Sequence, residues 1–214
     1  MKESYLRELE KGRLLIFGVS ADESIKERIK LIYPAERIEM GKSLYAKNKT
    51  ASEGQDTERI ESSQATRVFN DSYTTLHDKL IQIRKVGRYF FKNDIELTTL
   101  LRLNKEVPTA FPEWKALADD TVNAIISHEA IQEKLTLAAL TPEVILAMQV
   151  DLTTVDELKL TAEKEDGEAQ QATTHKQESY IEFMAYCSDL RACLDLFYEG
   201  NERQKLEVLG IVVK

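Results

Sequence analysis

The feature that most constrains the fold of this chain is a short sequence pattern that occurs twice. Residues 62–73 read SSQATRVFNDSY and residues 171–180 read QATTHKQESY, so Gln-Ala-Thr is followed in both places by four residues, an acid and Ser-Tyr. The match extends outward, because ESIKERI at 23–29 resembles EAIQEKL at 129–135. Self-similarity at a nearly constant offset predicts a duplicated structural unit.

The positions of proline support the duplication and place its boundaries. Two of the four prolines, Pro34 and Pro142, occupy matching places, each ahead of a long stretch without proline. The other two lie in the connector NKEVPTAFPEW between the halves. Proline suits the first turn of a helix, where its missing N–H costs nothing. We therefore predict one helical repeat at 1–107, a second at 108–214, and a long helix after Pro34 and after Pro142.

An apolar seam runs through the second part of each long stretch. Its members alternate steps of four and three residues, as in a heptad pattern, and β-strand signals are nearly absent. This pattern predicts an all-α fold in which short apolar helices, at about 94–103 and 202–212, fold back on the long ones. The seam residues are Phe69, Tyr73, Leu76, Leu80, Ile83, Gly87 and Phe90 in the first repeat, and Tyr180, Phe183, Cys187, Leu190, Leu194 and Phe197 in the second.

The middle of each long stretch is a waist of small and polar residues, at 46–66 and 159–173. In one interpretation each stretch is a continuous helix of about 58 residues, and the two long helices pack antiparallel about a pseudo-two-fold axis near Gln-Ala-Thr. In the other, the waist is a loop and the chain forms two compact four-helix bundles. Each waist contains one glycine and no proline, which favours the continuous helix.

Charge and composition limit the partners. The chain of 214 residues has a net charge of −8, with 43% hydrophobic and 31% charged residues, which excludes global disorder and argues against nucleic-acid binding. The apolar run at 14–19 is too short to span a membrane. Cys187 and Cys193 are six residues apart on one predicted helix, so they cannot form a disulfide within it. These features predict a cytoplasmic protein with no membrane partner.

The motifs of common enzymes and metal sites are missing from the sequence. None of His77, His128 and His175 has a glutamate three residues before it, as a di-iron bundle requires. No phosphate-binding glycine loop or nucleophile elbow occurs either. The sequence therefore predicts no catalytic residues, no metal and no cofactor.

Polar residues that match between the repeats are the only candidates for a site. One interpretation is a pair of polar grooves at the waist that hold a ligand or the side chains of a partner. In the other, the tyrosines are seam residues, Gln and Thr line a close helix crossing, and the arginine stems pack beside the seam. The candidates are Gln64, Thr66, Asp71, Ser72, Tyr73 and Arg84, with Gln171, Thr173, Glu178, Ser179, Tyr180 and Arg191.

The order of these elements resembles a known group of proteins. An apolar helix, a Tyr-Pro or Thr-Pro step, a long helix with Gln-Ala-Thr and a short helix ending in Leu209-Gly210-Ile211 is similar to a family of uncharacterised bacterial all-helical proteins built from two such units. The first repeat departs from this order at 100–103, where Leu-Leu-Arg-Leu lacks the glycine. The resemblance implies an all-helical fold over nearly the whole chain and no assigned activity.

Three functional hypotheses follow. The leading one is a non-enzymatic helical scaffold or interaction protein, with a protein partner or a second copy of itself. The alternative is a bundle that binds a small polar ligand between the two long helices at the waist. The third is an enzyme in which Asp71 and Glu178 act as general acid and base, which would need a closed cleft.

Overall fold

The computed structural model describes residues 2–210, and the side chains from residue 4 onward. All regular secondary structure in this part of the chain is helical, and it contains no strand. No helix within it combines the length and the apolar character needed to cross a membrane. The elements in chain order are α1 (Lys2–Ala21), α2 (Glu23–Ile29), α3 (Ala35–Phe90), α4 (Ile95–Leu100), α5 (Phe111–Ser127), α6 (Glu129–Thr136), α7 (Pro142–Phe197) and a 3₁₀ helix (Gly200–Leu209).

Both long helices are continuous, as the first interpretation of the waist expects, while its pseudo-two-fold axis stays a prediction. α3 and α7 each contain 56 residues and run through 46–66 and 159–173 without a break. The prediction of a loop at the waist is wrong, because neither waist holds a proline and ion pairs between successive turns support the helix. Lys49 lies 3.8 Å from Glu53, and Lys159 lies 3.1 Å from Glu163.

The short elements that follow the long helices are smaller than expected. The helix expected at 94–103 is limited to α4, whose first turn is capped by the Asp94 carboxylate accepting from the Leu97 N–H at 2.9 Å. The helix expected at 202–212 is the 3₁₀ helix, and its predicted end, including Ile211 of the Leu-Gly-Ile motif, lies outside the described residues.

The first compact unit consists of Met1–Ile60 and Gly167–Lys214. In it α1, α2 and the beginning of α3 pack on the end of α7 and the 3₁₀ helix. α3 and α7 are antiparallel here, because Gly41 faces Tyr186 while Asn48 bonds Ser179. The core includes Leu15, Ile16, Ile29, Tyr33, Phe183, Cys187, Leu190, Leu194 and Leu206.

The second compact unit is the continuous segment Glu61–Asp166. Here the end of α3 and the beginning of α7 pack with α4, α5 and α6. The two long helices are again antiparallel, since Lys159 lies over the Phe69 ring at 5.2 Å and Lys79 pairs with Asp151 at 3.0 Å. The predicted seam residues Leu76, Leu80 and Ile83 are buried in this core, together with Trp114, Ile125, Ile131, Leu135, Ile145, Met148 and Leu152.

The boundaries of the compact units differ from those of the predicted repeats. The first unit takes its core from both ends of the chain, whereas the repeats divide the sequence after residue 107. The repeats describe a relation between two stretches of sequence, and the units describe which residues pack together. The duplication itself stays a prediction.

Candidate functional site

A buried polar layer joins three helices of the first unit. Asn48, on α3, is fully buried, and its Oδ1 accepts a hydrogen bond from the Tyr5 hydroxyl on α1 at 2.7 Å. The Asn48 Nδ2 donates to Ser179 Oγ on α7 at 2.9 Å. Ser179, which is also buried, donates to the Lys176 carbonyl at 2.9 Å. Because an unpaired polar group in the interior is costly, this arrangement favours one register between the helices.

The layer continues toward the surface through charged and amide side chains. The Lys176 ammonium donates to Gln55 Oε1 at 2.8 Å, and Gln55 Nε2 donates to Thr173 Oγ1 at 3.0 Å. The same ammonium lies 4.7 Å from the centre of the Tyr5 ring, a cation–π distance. Of the candidates from the sequence, Thr173 and Ser179 therefore take part in hydrogen bonds that hold α3 to α7.

A surface groove lies beside the polar layer in the first unit. It has a volume of about 550 Å³ and is lined by Lys47, Thr50, Ala51, His175, Glu178 and Ser179. A second depression of about 430 Å³ shares His175 and Glu178 and adds Gln171. The groove thus offers an imidazole and a carboxylate to a polar ligand, together with the Lys47 ammonium, which also pairs with Glu182 at 2.6 Å. The Ser179 hydroxyl is held by Asn48 and a backbone carbonyl, so it is not placed as a nucleophile.

The remaining two candidates of the first unit lie closer to the C-terminal end of α7. Tyr180 is half-buried and its ring centre lies 4.9 Å from that of Tyr5, and burial raises the pKa of its hydroxyl. Arg191 is half-buried as well, and its Nε is buried without a hydrogen-bond partner in the described part of the chain. Neither side chain lines the groove.

In the second unit the candidates on α3 separate into exposed and packed residues. Gln64, Thr66 and Asp71 are exposed, and Asp71 lies 3.7 Å from Arg67 one turn away. Ser72 is half-buried. Tyr73 packs edge-on against Trp114, with ring centres 4.6 Å apart, in an aromatic cluster that also includes Phe69, His77 and Phe111. The packing of Tyr73 matches its interpretation as a seam residue.

Arg84 is the most deeply buried of the candidates in the second unit. It is 1% exposed, and its guanidinium donates to the carbonyl oxygens of Arg102 at 3.1 Å and Lys105 at 2.5 Å. Burial, followed by the charge of Arg88, lowers its pKa. Arg88 donates to the Leu103 carbonyl at 3.0 Å. These two arginines fix the turn after α4, where Arg102 has a positive φ of 48°.

A basic face at the end of α3 was missed by the search for matching residues. It consists of Lys85, Arg88, Tyr89 and Lys92, all exposed, with Tyr89 at 72%. From Lys79 to Asn93, both included, the sequence contains five basic residues and no acid. That local bias is visible in the sequence, but this basic face has no counterpart in the second repeat. A search restricted to duplicated residues therefore passes over it.

Comparison with known protein families, curated proteins and solved structures gives no match to this chain. The family resemblance drawn from the order of its motifs accordingly stays a prediction. The candidate sites of this protein therefore rest on the geometry of the chain itself.

Proposed function

We propose that the protein is a non-enzymatic helical interaction protein of the cytoplasm. The observation that carries this proposal is the basic face, four exposed side chains grouped at one helix end of a chain whose net charge is −8. Arginine and tyrosine are enriched at the energetic centres of protein interfaces. The two free, buried cysteines suit a reducing compartment.

We also infer that the two halves arose by duplication and later diverged. Two observations support this: α3 and α7 have the same number of residues, and α2 and α6 lie on the matching stretches ESIKERI and EAIQEKL. Divergence is visible at the matched pair Phe69 and Lys176, the first in an aromatic cluster and the second in a polar layer. One helical frame would then carry different surfaces in its two halves.

Site-specific photocrosslinking tests the interaction proposal. A photoreactive phenylalanine at Tyr89 is expected to capture a discrete partner in cells, whereas the same group at exposed Leu137, on another part of the second unit, is not. The captured protein is then purified and titrated directly against the wild-type chain. If no captured protein binds in that titration, the proposal fails.

A second candidate function is the binding of a small polar ligand, and the groove of the first unit favours it. Its lining supplies groups of both charges within about 550 Å³, a size that suits a metabolite. A thermal-shift screen with polar metabolites is expected to find a ligand whose effect disappears in the His175→Ala/Glu178→Ala variant. Gln177→Ala/Glu207→Ala is the matched control, because both residues are exposed, lie in the first unit and line neither depression. A shift that persists in the double variant would remove the groove as its cause.

A further inference from the structure

We infer that the basic face binds a short acidic segment of a partner protein, an inference that rests on the proposed function. Lys85, Arg88 and Tyr89 are spaced as i, i+3 and i+4, so they are neighbours on the surface of α3. Lys92 lies in the turn directly after the helix. Together they present three positive charges and an aromatic ring over about two helical turns, roughly 10 Å.

The charges of this face are not neutralised within the protein. Lys85 and Lys92 have no ion pair with any residue that the structure describes. Arg88 is held in place by the Leu103 carbonyl, which positions its guanidinium without cancelling its charge.

Four of the six other lysines of the same unit have carboxylate partners among the described residues, whereas Lys105 and Lys134 have none. Lys79 lies 3.0 Å from Asp151, and Lys115 lies 2.6 Å from Asp119. A group of free cations in a unit where ion pairing is common points to an anionic partner from outside the chain.

The size of the face and the charge of its surroundings favour an acidic peptide segment over a nucleic acid or a membrane. The second unit carries 12 Lys or Arg and 18 Asp or Glu, so a long polyanion or an anionic lipid surface would be repelled around the face. The basic face extends over about 10 Å, which is comparable to the Debye length at physiological salt. Carboxylates farther away are screened from it, so the face matches a segment with two or three carboxylates.

Tyr89 supplies the apolar part of the contact. Its ring is 72% exposed and packs edge-on against Phe90, with centres 5.2 Å apart, so it is partly pre-positioned. A fixed aromatic ring gives contact area at a low cost in conformational entropy. The expected partner segment therefore combines acidic residues with at least one apolar residue.

Selection from a displayed library of random twelve-residue peptides tests the inference on the full chain. Enriched peptides are expected to carry an excess of Asp and Glu, and to bind the Lys85→Glu/Lys92→Glu variant at least about tenfold more weakly than the wild type. Their affinity is expected to fall as salt is raised. The matched control is Arg59→Glu/Lys134→Glu, which changes the net charge equally at two exposed basic residues that lie outside the face and have no ion pair with the described residues.

Several results would overturn the inference. One is enrichment of peptides without an acidic excess, or equal binding by the two double variants. Another is binding of labelled single-stranded DNA or of phosphatidylglycerol vesicles that only Lys85→Glu/Lys92→Glu abolishes, which would assign the face to a polyanion or a membrane. A wild-type dimer that the same variant converts to a monomer in sedimentation would assign it to a second copy of the chain.

Failure of this inference can be distinguished from failure of the proposed function. A purified partner that binds the wild type and both double variants equally leaves the interaction function in place and removes the basic face as its site. Absence of any partner in the photocrosslinking experiment removes the function itself.

Discussion

Arg84 shows how a residue that looks like a site candidate in the sequence can serve the fold. Its guanidinium is 1% exposed and bonds two carbonyl oxygens of the turn after α4. Hydrogen bonds from a charged donor contribute more than neutral ones, but burial of the charge offsets part of that gain. The net contribution of Arg84 to the free energy of unfolding is still favourable, because its removal leaves the carbonyls of Arg102 and Lys105 without this hydrogen-bond donor.

We expect Arg84→Met to lower the free energy of unfolding by about 2 kcal/mol, because methionine fills the space of the stem but donates no hydrogen bond. Urea denaturation of the full chain measures the change. Lys85→Met is the control, since this exposed neighbour makes no ion pair with the described residues and should change stability by less than about 0.5 kcal/mol. Equal stability of Arg84→Met and wild type would contradict a structural role for Arg84.

Cys187 makes the stability of the first unit depend on pH. It is 1% exposed, and burial raises the pKa of its thiol from the ordinary 9.0 to about 11. The unfolded chain ionises this thiol first as pH rises, so its contribution to stability is complete below pH 9 and is lost between pH 9 and 11. A shift of about two pKa units corresponds to a loss of roughly 3 kcal/mol of unfolding free energy.

The difference in unfolding free energy between wild type and Cys187→Ala should therefore shrink as pH rises from about 8 to about 11. Taking the difference removes the contribution of buried tyrosines that do not interact with the thiol, such as Tyr198. Tyr186 is the exception, because the charge of Cys187 adds to the burial that raises the Tyr186 pKa to about 12, but that value lies above the pH range compared. Denaturation in urea at several pH values gives the comparison. A difference that stays constant over this range would show that Cys187 is ionised to the same extent in both states.

At the scale of the elements, glycine has two different roles within α3. Gly41 lies against the Tyr186 ring, where an added Cβ would stand 2.4 Å from the ring atom Cε1. The ring cannot easily move, because its hydroxyl donates to the Arg37 carbonyl at 2.8 Å. Gly54, in contrast, has no atom within 4 Å of the added Cβ.

Gly41→Ala should destabilise the protein by about 1–3 kcal/mol through overpacking. Gly54→Ala should stabilise it by about 0.5–1 kcal/mol, because alanine restricts the unfolded chain and favours the helix. Thermal unfolding of the two variants side by side tests both statements, and each serves as the control for the other. Stabilisation of both variants would contradict overpacking at Gly41 and leave helix propensity as the deciding factor, and destabilisation of Gly54→Ala would contradict the second statement.

Some features of the helices could be predicted from local sequence patterns, and others could not. The heptad spacing of Leu76, Leu80 and Ile83 was sufficient to predict their burial, because a periodic apolar stripe must face a core. The absence of proline favoured continuous long helices, but the polar waist left a loop as an alternative. The hydrogen bond between Asn48 and Tyr5 could not be predicted, since it joins helices whose packing depends on the whole unit.

The candidate sites were predictable only in part. Gln171, Glu178 and Ser179 were identified from the repeat, and the structure places them beside or within one groove. Lys47 and His175 complete that groove, but neither has an equivalent polar partner in the other repeat. A side chain that occurs in only one of two similar stretches is invisible to a search by internal similarity.

At the scale of the whole molecule, the two compact units differ in how they use the sequence. The core of the second unit comes entirely from Glu61–Asp166, whereas the core of the first combines residues before 60 with residues after 167. A contiguous unit contains every residue that its core needs. A discontinuous one requires both ends of the chain to be present.

The fragment Glu61–Asp166 should therefore fold alone, since on the order of 100 residues with a complete apolar core is enough for a stable domain. The fragment 1–107 should not, because it lacks Phe183 and Leu190 of the first core and Trp114 and Ile145 of the second. Circular dichroism with thermal unfolding compares the two, and sedimentation checks that each is a monomer. Cooperative unfolding of monomeric 1–107 would contradict this division and make the sequence repeat the independent folding unit. A cooperative transition in Glu61–Asp166 alone would assign that role to the compact unit, with the basic face included in it.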